Sequence, residues 1–517
     1  MGLDIRAPSV DALPPTETTR PMTDSPAPPP PTRPEARAPR GFQDRRARDL
    51  RAERAILGAV SAVYERYGFE ALDTPAFEYA DALGKFLPDA DRPNEGVFAL
   101  QDDDEQWMAL RYDLTAPLAR FAAERWETLP KPFRRYAFGT VWRNEKPGPG
   151  RYREFIQCDA DTVGSSRPEA DAEIVAMAAE GLQAAGLPRG AAILKVSNRK
   201  LLNGVLRSAG VTSDSQTLAV LRAVDKLDKF GPEGVTLLLG KGRLDESGDF
   251  TKGAELDAKG VEVVLRFLDA ASVGRSALLD TLDPLLGGEA EGRAGLEELA
   301  AIDKALAGMG VGEDQVCFDV SVVRGLEYYT GPVFEAELLL DTVDDKGEAV
   351  RFGSVGGGGR YDDLVARFTG QPVPATGFSF GVSRLAAALR AAGRDPAGEA
   401  RGPVVVIAFS PDSMADYFAV AGELRAAGIP AEVYLGSSGM RPQMKYADRR
   451  LAPAAVIIGD DEKAAGTVTI KDLDLGRELA SKVDSNEAWR AERPGQATIP
   501  RGEMVAHIRR IIEGNAP

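Results

Sequence analysis

Histidine is nearly absent from this chain: 517 residues contain one, His507, close to the end. A histidine-dependent catalytic triad and a His-rich zinc site are therefore excluded within the chain. Cysteine is as scarce. Cys158 and Cys317 are far apart and lack histidine companions, so they form no disulfide framework and read as small core residues in a reducing setting. No apolar run approaches the roughly 20 residues of a membrane span. The start of the chain has no basic segment followed by an apolar core, so no secretory signal is expected and a cytoplasmic location is. Basic residues are outnumbered, 63 Lys and Arg against 79 Asp and Glu for a formal net charge of −16. That balance excludes a general nucleic-acid coat, whose affinity comes from neutralising phosphates, and leaves room for local basic patches. What is abundant is core material. With 44% hydrophobic and 27% charged residues the chain reads as soluble and globular, long enough for about three domains.

Residues 1–39 carry a PAPPPP run and buy too little apolar burial to overcome chain entropy, so a disordered arm is expected, with Met22 inside it. From Arg45 to Tyr67 apolar residues at Leu50, Ile56, Leu57, Val60, Val63, Tyr64 and Tyr67 recur at helical spacing, and Gly68 ends the helix. The segment FEALDTPAFEYAD reads as a strand interrupted by Pro75, which places it at a sheet edge or bulge. MALRYDLTAPLARF reads as a strand running into a helix, with Arg111, Asp113 and Thr115 on one face. Asp113 and Thr115 have two readings there, an ordinary helix cap or acceptors for an ammonium group.

The chain is organised around residues 134–161, RRYAFGTVWRNEKPGPGRYREFIQCDAD, which read as two strands joined by a Gly/Pro loop. Alternation places Phe155, Gln157, Asp159 and Asp161 on one face and Ile156, Cys158, Ala160 and Thr162 on the other. The polar face has two readings, solvent or a pocket. The arginines at 134, 135, 143, 151 and 153 read as guanidiniums without carboxylate partners, suited to bidentate contact with phosphate.

Residues 188–313 alternate helical stripes with Gly/Asp breaks and read as an inserted helical domain between two parts of a catalytic domain, 40–187 and 314–398. Chemistry returns at VVRGLEYYTG (322–331), where an apolar strand opens into a turn carrying Arg324 and two tyrosines. In SVGGGGRYDDLVARF (354–368) the four glycines are not followed by Gly-Lys-Ser/Thr, so a P-loop is excluded and close backbone approach by a ligand is the alternative. Gly377 to Arg384 delivers an arginine at a helix start, suited to a triphosphate. A last α/β module spans 402–517, with apolar runs VVVIAF and AAVIIGD for parallel strands and a basic helix over Met440–Arg450.

Taken together, APRGFQD, the TP-x-FE around Pro75, LRYDLTAP, the Arg-rich hairpin, RGLEYYTG, GGGGRYDDL and the Gly377–Arg384 strand resemble, in order, the histidyl-tRNA synthetase family of class II aminoacyl-tRNA synthetases, over nearly all of residues 40–515. The resemblance implies an α+β fold: an antiparallel sheet flanked by helices, a helical insertion domain and a C-terminal α/β anticodon-binding domain. It implies activation of L-histidine with ATP, expected with Mg2+, to histidyl-adenylate and pyrophosphate, then transfer to the 3' end of tRNA(His), by a homodimer whose interface includes the Pro75 strand. By matching motif positions it puts Arg143 on the α-phosphate, Glu145 on the adenine amino group, Phe155 against the purine ring and Arg384 on the γ-phosphate. Arg324 falls at the reacting centre, Asp113, Thr115 and Gln157 around the α-ammonium, and Asp161 and Tyr329 on the imidazole, with Tyr328 beside them. Two positions depart from the family pattern: Glu327 stands where Asp is usual, and Ser383 where Glu commonly precedes the arginine. Two rivals are a histidine-binding regulatory subunit of ATP phosphoribosyltransferase and a class II synthetase for another amino acid. The retained arginines and the appended module disfavour the first, and RGLEYYTG the second.

Overall fold

The computed structural model describes residues 35–83, 96–148, 151–211, 213–224, 226–244, 250–270, 274–286, 288–322, 328–340, 342, 352–398, 401–480 and 495–514. The expected arm up to residue 34, Met22 within it, and Arg324 and Glu327 lie outside these residues.

The helical stripe at the start becomes α1 (Ala47–Arg66), which buries Ile56, Val60, Val63 and Tyr64, and Gly68 follows it with φ +80°. The single strand expected around Pro75 is two: β1 (Glu70–Ala71) and β2 (Phe77–Tyr79), with the exposed Pro75 between them. Proline lacks the N–H a ladder needs, so pairing stops and the chain changes sheets. After α2 (Ala80–Leu83), β3 (Ala99–Gln101) and β4 (Trp107–Leu110) complete a small sheet in the order β2-β4-β3. Then comes α3 (Thr115–Arg125).

The hairpin is β5 (Phe133–Trp142) and β6 (Glu154–Val163), paired antiparallel from Phe133↔Val163 to Trp142↔Glu154. α4 (Pro168–Ala184) begins with proline at its first turn, where the missing N–H is no loss. β7 (Ala192–Asn198), inside the span expected as a helical insertion, is a strand of the large sheet. Beyond it the span is mainly helical, with one short hairpin, β8 (Gly242–Leu244) and β9 (Phe250–Lys252). β10 (Val316–Phe318), β11 (Pro332–Leu338), β12 (Ser354–Arg360) and β13 (Ala375–Gly381) complete an eight-stranded sheet ordered β1-β5-β6-β13-β12-β11-β7-β10. Its six central strands pair antiparallel, and only the edge strands β1 and β10 pair parallel.

One face of this sheet is the core. Cys158 and Ala160 of β6 and Phe378 and Phe380 of β13 pack with Tyr64 of α1 and Ile174, Val175 and Met177 of α4, all nearly inaccessible. The C-terminal module is a second sheet of β14 (Val404–Ile407), β15 (Ala431–Val433), β16 (Ala454–Ile457), β17 (Thr467–Asp472) and β18 (Gln496–Pro500), ordered β15-β14-β16-β17-β18. The two apolar runs are its parallel, fully buried strands β14 and β16. The basic segment forms a helix, Met440–Arg449, that buries Gln443 and Ala447 and exposes Arg441, Lys445 and Arg449. No helix of the described residues is long and apolar enough to cross a membrane.

Candidate active site

Opposite the core face, the same strands build a polar floor by register alone. Cross-strand partners share a face of the sheet, so the alternation read on β6 propagates through β13 into β12. One row joins Ala137, Asp159, Ser379 and Gly357; the next joins Arg135, Asp161, Gly377 and Gly359. Gln157 pairs with Gly139 and Gly381 in a third row. Each acidic or amide side chain is thus flanked mainly by glycine, alanine or serine, and the polar face of β6 is turned away from solvent: Gln157, Asp159 and Asp161 are 8%, 2% and 2% exposed.

Gly377 is required here. A Cβ on it would lie 1.9 Å from Asp161 Oδ1. In the four-glycine run, the close approach that demands glycine at 358 is by the neighbouring strand: a Cβ there would sit 2.0 Å from the Gly377 carbonyl oxygen.

Asp161 Oδ2 pairs with Arg135 Nη2 at 3.0 Å, and Tyr361 Oη donates to Asp161 Oδ1. Arg135 also donates to the Leu114 carbonyl at 2.8 Å, tying the site to the start of α3. Burial raises the Asp161 carboxyl's pKa, opposed by Arg135 and Tyr361. Burial, then the charge of Asp161, pushes Asp159 up to about 7. Burial by itself lowers Arg135, but Asp161 and Asp159 outweigh it and the guanidinium is held charged. Gln157 Nε2 donates to Ser379 Oγ at 3.0 Å. Gln157 Oε1 and Asp159 Oδ1 are buried without a hydrogen-bond partner among the described residues.

Asp113 does what the capping reading expects: its Oδ1 accepts the amides of Thr115 at 3.1 Å and Ala116 at 2.9 Å. Burial raises its pKa, and the site is close enough for Arg143 and Asp161 to act on it. Arg111, expected on the same face, spends its guanidinium on the backbone carbonyls of Thr74 (2.6 Å) and Thr140 (3.0 Å). Tyr328 stands edge-on to Tyr329, centroids 5.1 Å apart, and 5.9 Å from Tyr361. Its hydroxyl is buried without a hydrogen-bond partner among the described residues.

At the mouth of the hairpin, Arg143 lies over the Phe155 ring at 5.3 Å and donates from Nε to the Tyr112 carbonyl at 3.1 Å. Glu145 is exposed in the loop, its carbonyl held by Arg153 Nε at 3.0 Å. Arg384 donates to the Phe352 carbonyl. The five arginines are not one phosphate cluster. Adjacent strand residues point to opposite faces, so Arg134 leaves the site and meets Glu173 of α4 at 3.1 Å while Arg135 meets Asp161. One carboxylate partner comes from α4, outside the hairpin, and the other from the opposite strand of the hairpin, 26 positions along the chain and brought alongside only by strand pairing. Tyr361 and Ser379 were also missed, because only register brings them to Asp161 and Gln157. Among the described residues the structure thus brings Asp113, Thr115, Gln157, Asp161, Tyr328 and Tyr329 to one region, with Arg143 and Phe155 adjoining on the same hairpin.

The arrangement can hold a small polar molecule carrying N–H donors beside a site for a stacked ring and an anion. A family model described as histidyl-tRNA synthetase matches residues 41–385, and one described as anticodon binding domain matches residues 403–491. The chain is 74% identical over 493 residues to a histidine–tRNA ligase of Caulobacter vibrioides, covering 95% of this chain and all of that one. A crystal structure of histidyl-tRNA synthetase from Nostoc sp. PCC 7120 superposes with TM-score 0.70 at 28% identity, covering 92% of this chain and all of that one. A Bacillus halodurans structure titled as an ATP phosphoribosyltransferase regulatory subunit/histidyl-tRNA synthetase reaches TM-score 0.61 at 23% identity over 80% of this chain and 97% of that one, a likeness of fold alone. With the family model spanning most of the chain and a relative aligned nearly end to end, the chain belongs to the histidyl-tRNA synthetase family and is a class II aminoacyl-tRNA synthetase.

Proposed function

We propose that the chain ligates L-histidine to tRNA(His) in two steps at this floor. A histidine carboxylate oxygen attacks the α-phosphorus of ATP and pyrophosphate leaves; a hydroxyl of the tRNA terminal ribose then attacks the carbonyl carbon and AMP leaves. The observation that carries this reading is the buried row Gln157, Asp159, Asp161 on the strand that also presents Phe155, with Arg143 over its ring. Asp113, Thr115 and Gln157 receive the α-ammonium. Asp161, fixed by Arg135 and Tyr361, uses its remaining lone pairs for an imidazole N–H, together with Tyr329, and Tyr328 lines the pocket. Arg143 takes the α-phosphate, Phe155 the adenine ring, Glu145 the adenine amino group and Arg384 the γ-phosphate. Arg324 stabilises the charge developing at phosphorus. The chemistry is positioning plus electrostatics, so it needs no histidine base.

Mg2+ enters as the counter-ion of the ATP phosphates. Among the described residues no group of three or more His, Cys, Asp or Glu is placed to hold a metal ion. The Met440–Arg449 helix offers its exposed Arg441, Lys445 and Arg449 to the tRNA anticodon arm. The small sheet supports a homodimer: Tyr79, Met108 and Leu100 form one cross-strand row, and Tyr79 and Leu100 are 56% and 43% exposed. The setting is cytoplasmic.

The test is pyrophosphate exchange into ATP with each amino acid in turn, and with Arg324→Ala. Histidine-dependent exchange that falls by about 10²–10³ in the variant is expected. Histidine binding without exchange would replace this reading with a regulatory one.

A further inference from the structure

Asp159 is a buried acid that the roles above leave unused. It stands on β6 midway between Gln157 and Asp161, on the same face, 2% exposed. Its row neighbours are Ala137, Ser379 and Gly357, none large enough to cover the carboxylate. Ser379 is also the residue to which Gln157 gives its amide N–H, at 3.0 Å. Ser379 in turn hydrogen-bonds the Asp159 carboxylate, and two buried oxygens beside it, Asp159 Oδ1 and Gln157 Oε1, are left without a hydrogen-bond partner among the described residues. Buried acceptors lacking a donor are costly and rare in folded proteins, and here two face one pocket. Charge points the same way. Asp113, Asp159 and Asp161 act on one another, against Arg135 between them and Arg143 beside Asp113, so three carboxylates face two guanidiniums.

We propose that Asp159 is a substrate-binding residue: with Gln157 Oε1 it accepts hydrogen bonds from the α-ammonium of the amino acid, supplementing Asp113. This rests on the histidine reading of the pocket. An ammonium brings three N–H donors and one positive charge, which matches both the unpartnered oxygens and the charge deficit. A neutral imidazole brings one N–H and no charge, and so corrects only one of the two. Burial raises the carboxyl toward neutral pH, and an arriving cation would favour its charged form.

The experiment uses the full chain and its Asp159→Asn and Ser379→Ala variants, with Kd measured by calorimetry for three probes: L-histidine, histamine, which keeps the ammonium and lacks the carboxylate, and 3-(imidazol-4-yl)propanoate, which lacks the ammonium. Asp159→Asn is expected to weaken L-histidine and histamine alike, by about 10–100-fold, the range for one charge-assisted hydrogen bond. It should leave the propanoate within about 3-fold of wild type, and KM for ATP in pyrophosphate exchange unchanged. Ser379→Ala keeps the carboxylate and should reproduce the pattern at smaller amplitude. Equal weakening of all three probes, or no weakening of L-histidine and histamine, would overturn the assignment. If wild type binds no L-histidine, the histidine reading itself falls; if wild type binds and the variants lose nothing, only the role of Asp159 does.

Discussion

Ser383 Oγ donates to Glu53 Oε1 at 2.7 Å and accepts the amide N–H of Ile156 at 3.2 Å. Glu53 is 4% exposed on α1, and its other oxygen takes Arg45 Nη1 at 3.0 Å. Ser383 occupies the position where the family commonly carries Glu, directly before Arg384, and Ile156 directly follows Phe155. Here the carboxylate comes from α1 and reaches the same neighbourhood through a hydroxyl. One short polar chain therefore joins the first helix, the strand of Phe155 and the helix start of Arg384. Ser383→Ala leaves Glu53 Oε1 and the Ile156 amide unsatisfied, which costs about 1–3 kcal/mol of stability. It is expected to raise KM for ATP about 10-fold with little change in KM for histidine, measured by pyrophosphate exchange. Equal rises in both would show that Ser383 supports the fold only.

Gly377→Ala puts a methyl on top of Asp161 Oδ1, at 1.9 Å before relaxation. Asp161 must then leave Arg135 or Tyr361. The expected result is a loss of about 1–3 kcal/mol in unfolding free energy, with KM for histidine raised at least about 10-fold and KM for ATP nearly unchanged. A variant with native histidine KM would remove Asp161 from the pocket.

Stability should fall as pH rises from about 4 to about 7. Burial pushes Asp159 up to about 7 and Asp171, beside Arg360, up to about 6, against about 4 in an unfolded chain. Between those limits the folded protein holds protons that the unfolded one has lost. The contribution is complete below about pH 4 and gone above about pH 7. Asp159→Asn imitates the protonated carboxyl, so its Tm should exceed wild type by about 2 °C or more at pH 8 and approach it only below about pH 4, where both states of the wild type are protonated. A difference independent of pH would contradict the assigned shift.

The exposed row on the small sheet predicts assembly. Tyr79→Glu places a charge beside Leu100 and Met108, and burying an unpaired charge in an interface is strongly unfavourable. Light scattering should show a dimer for wild type and a monomer for the variant. A variant still dimeric would move the interface elsewhere.

The sequence by itself determined the parts of this protein that depend on local pattern. Period-two alternation separated Cys158 and Ala160, now against α1 and α4, from Gln157, Asp159 and Asp161, now buried on the opposite face of the sheet. Helical spacing marked α1, and Gly/Pro punctuation marked the hairpin loop. The ordered motifs pointed to the family. Asp113 was legible as a cap because capping is decided within a few residues of chain. Only the tertiary structure decided which groups meet. Arg135 and Asp161 are 26 positions apart in sequence and share one row only once β5 and β6 are in register. Tyr361 enters the site from just past β12 and Gly377 from β13, and Glu53 reaches Ser383 from a helix 330 residues earlier. Side-chain direction follows from local backbone period, but partnership follows from strand register and layer packing, which no single stretch of sequence contains.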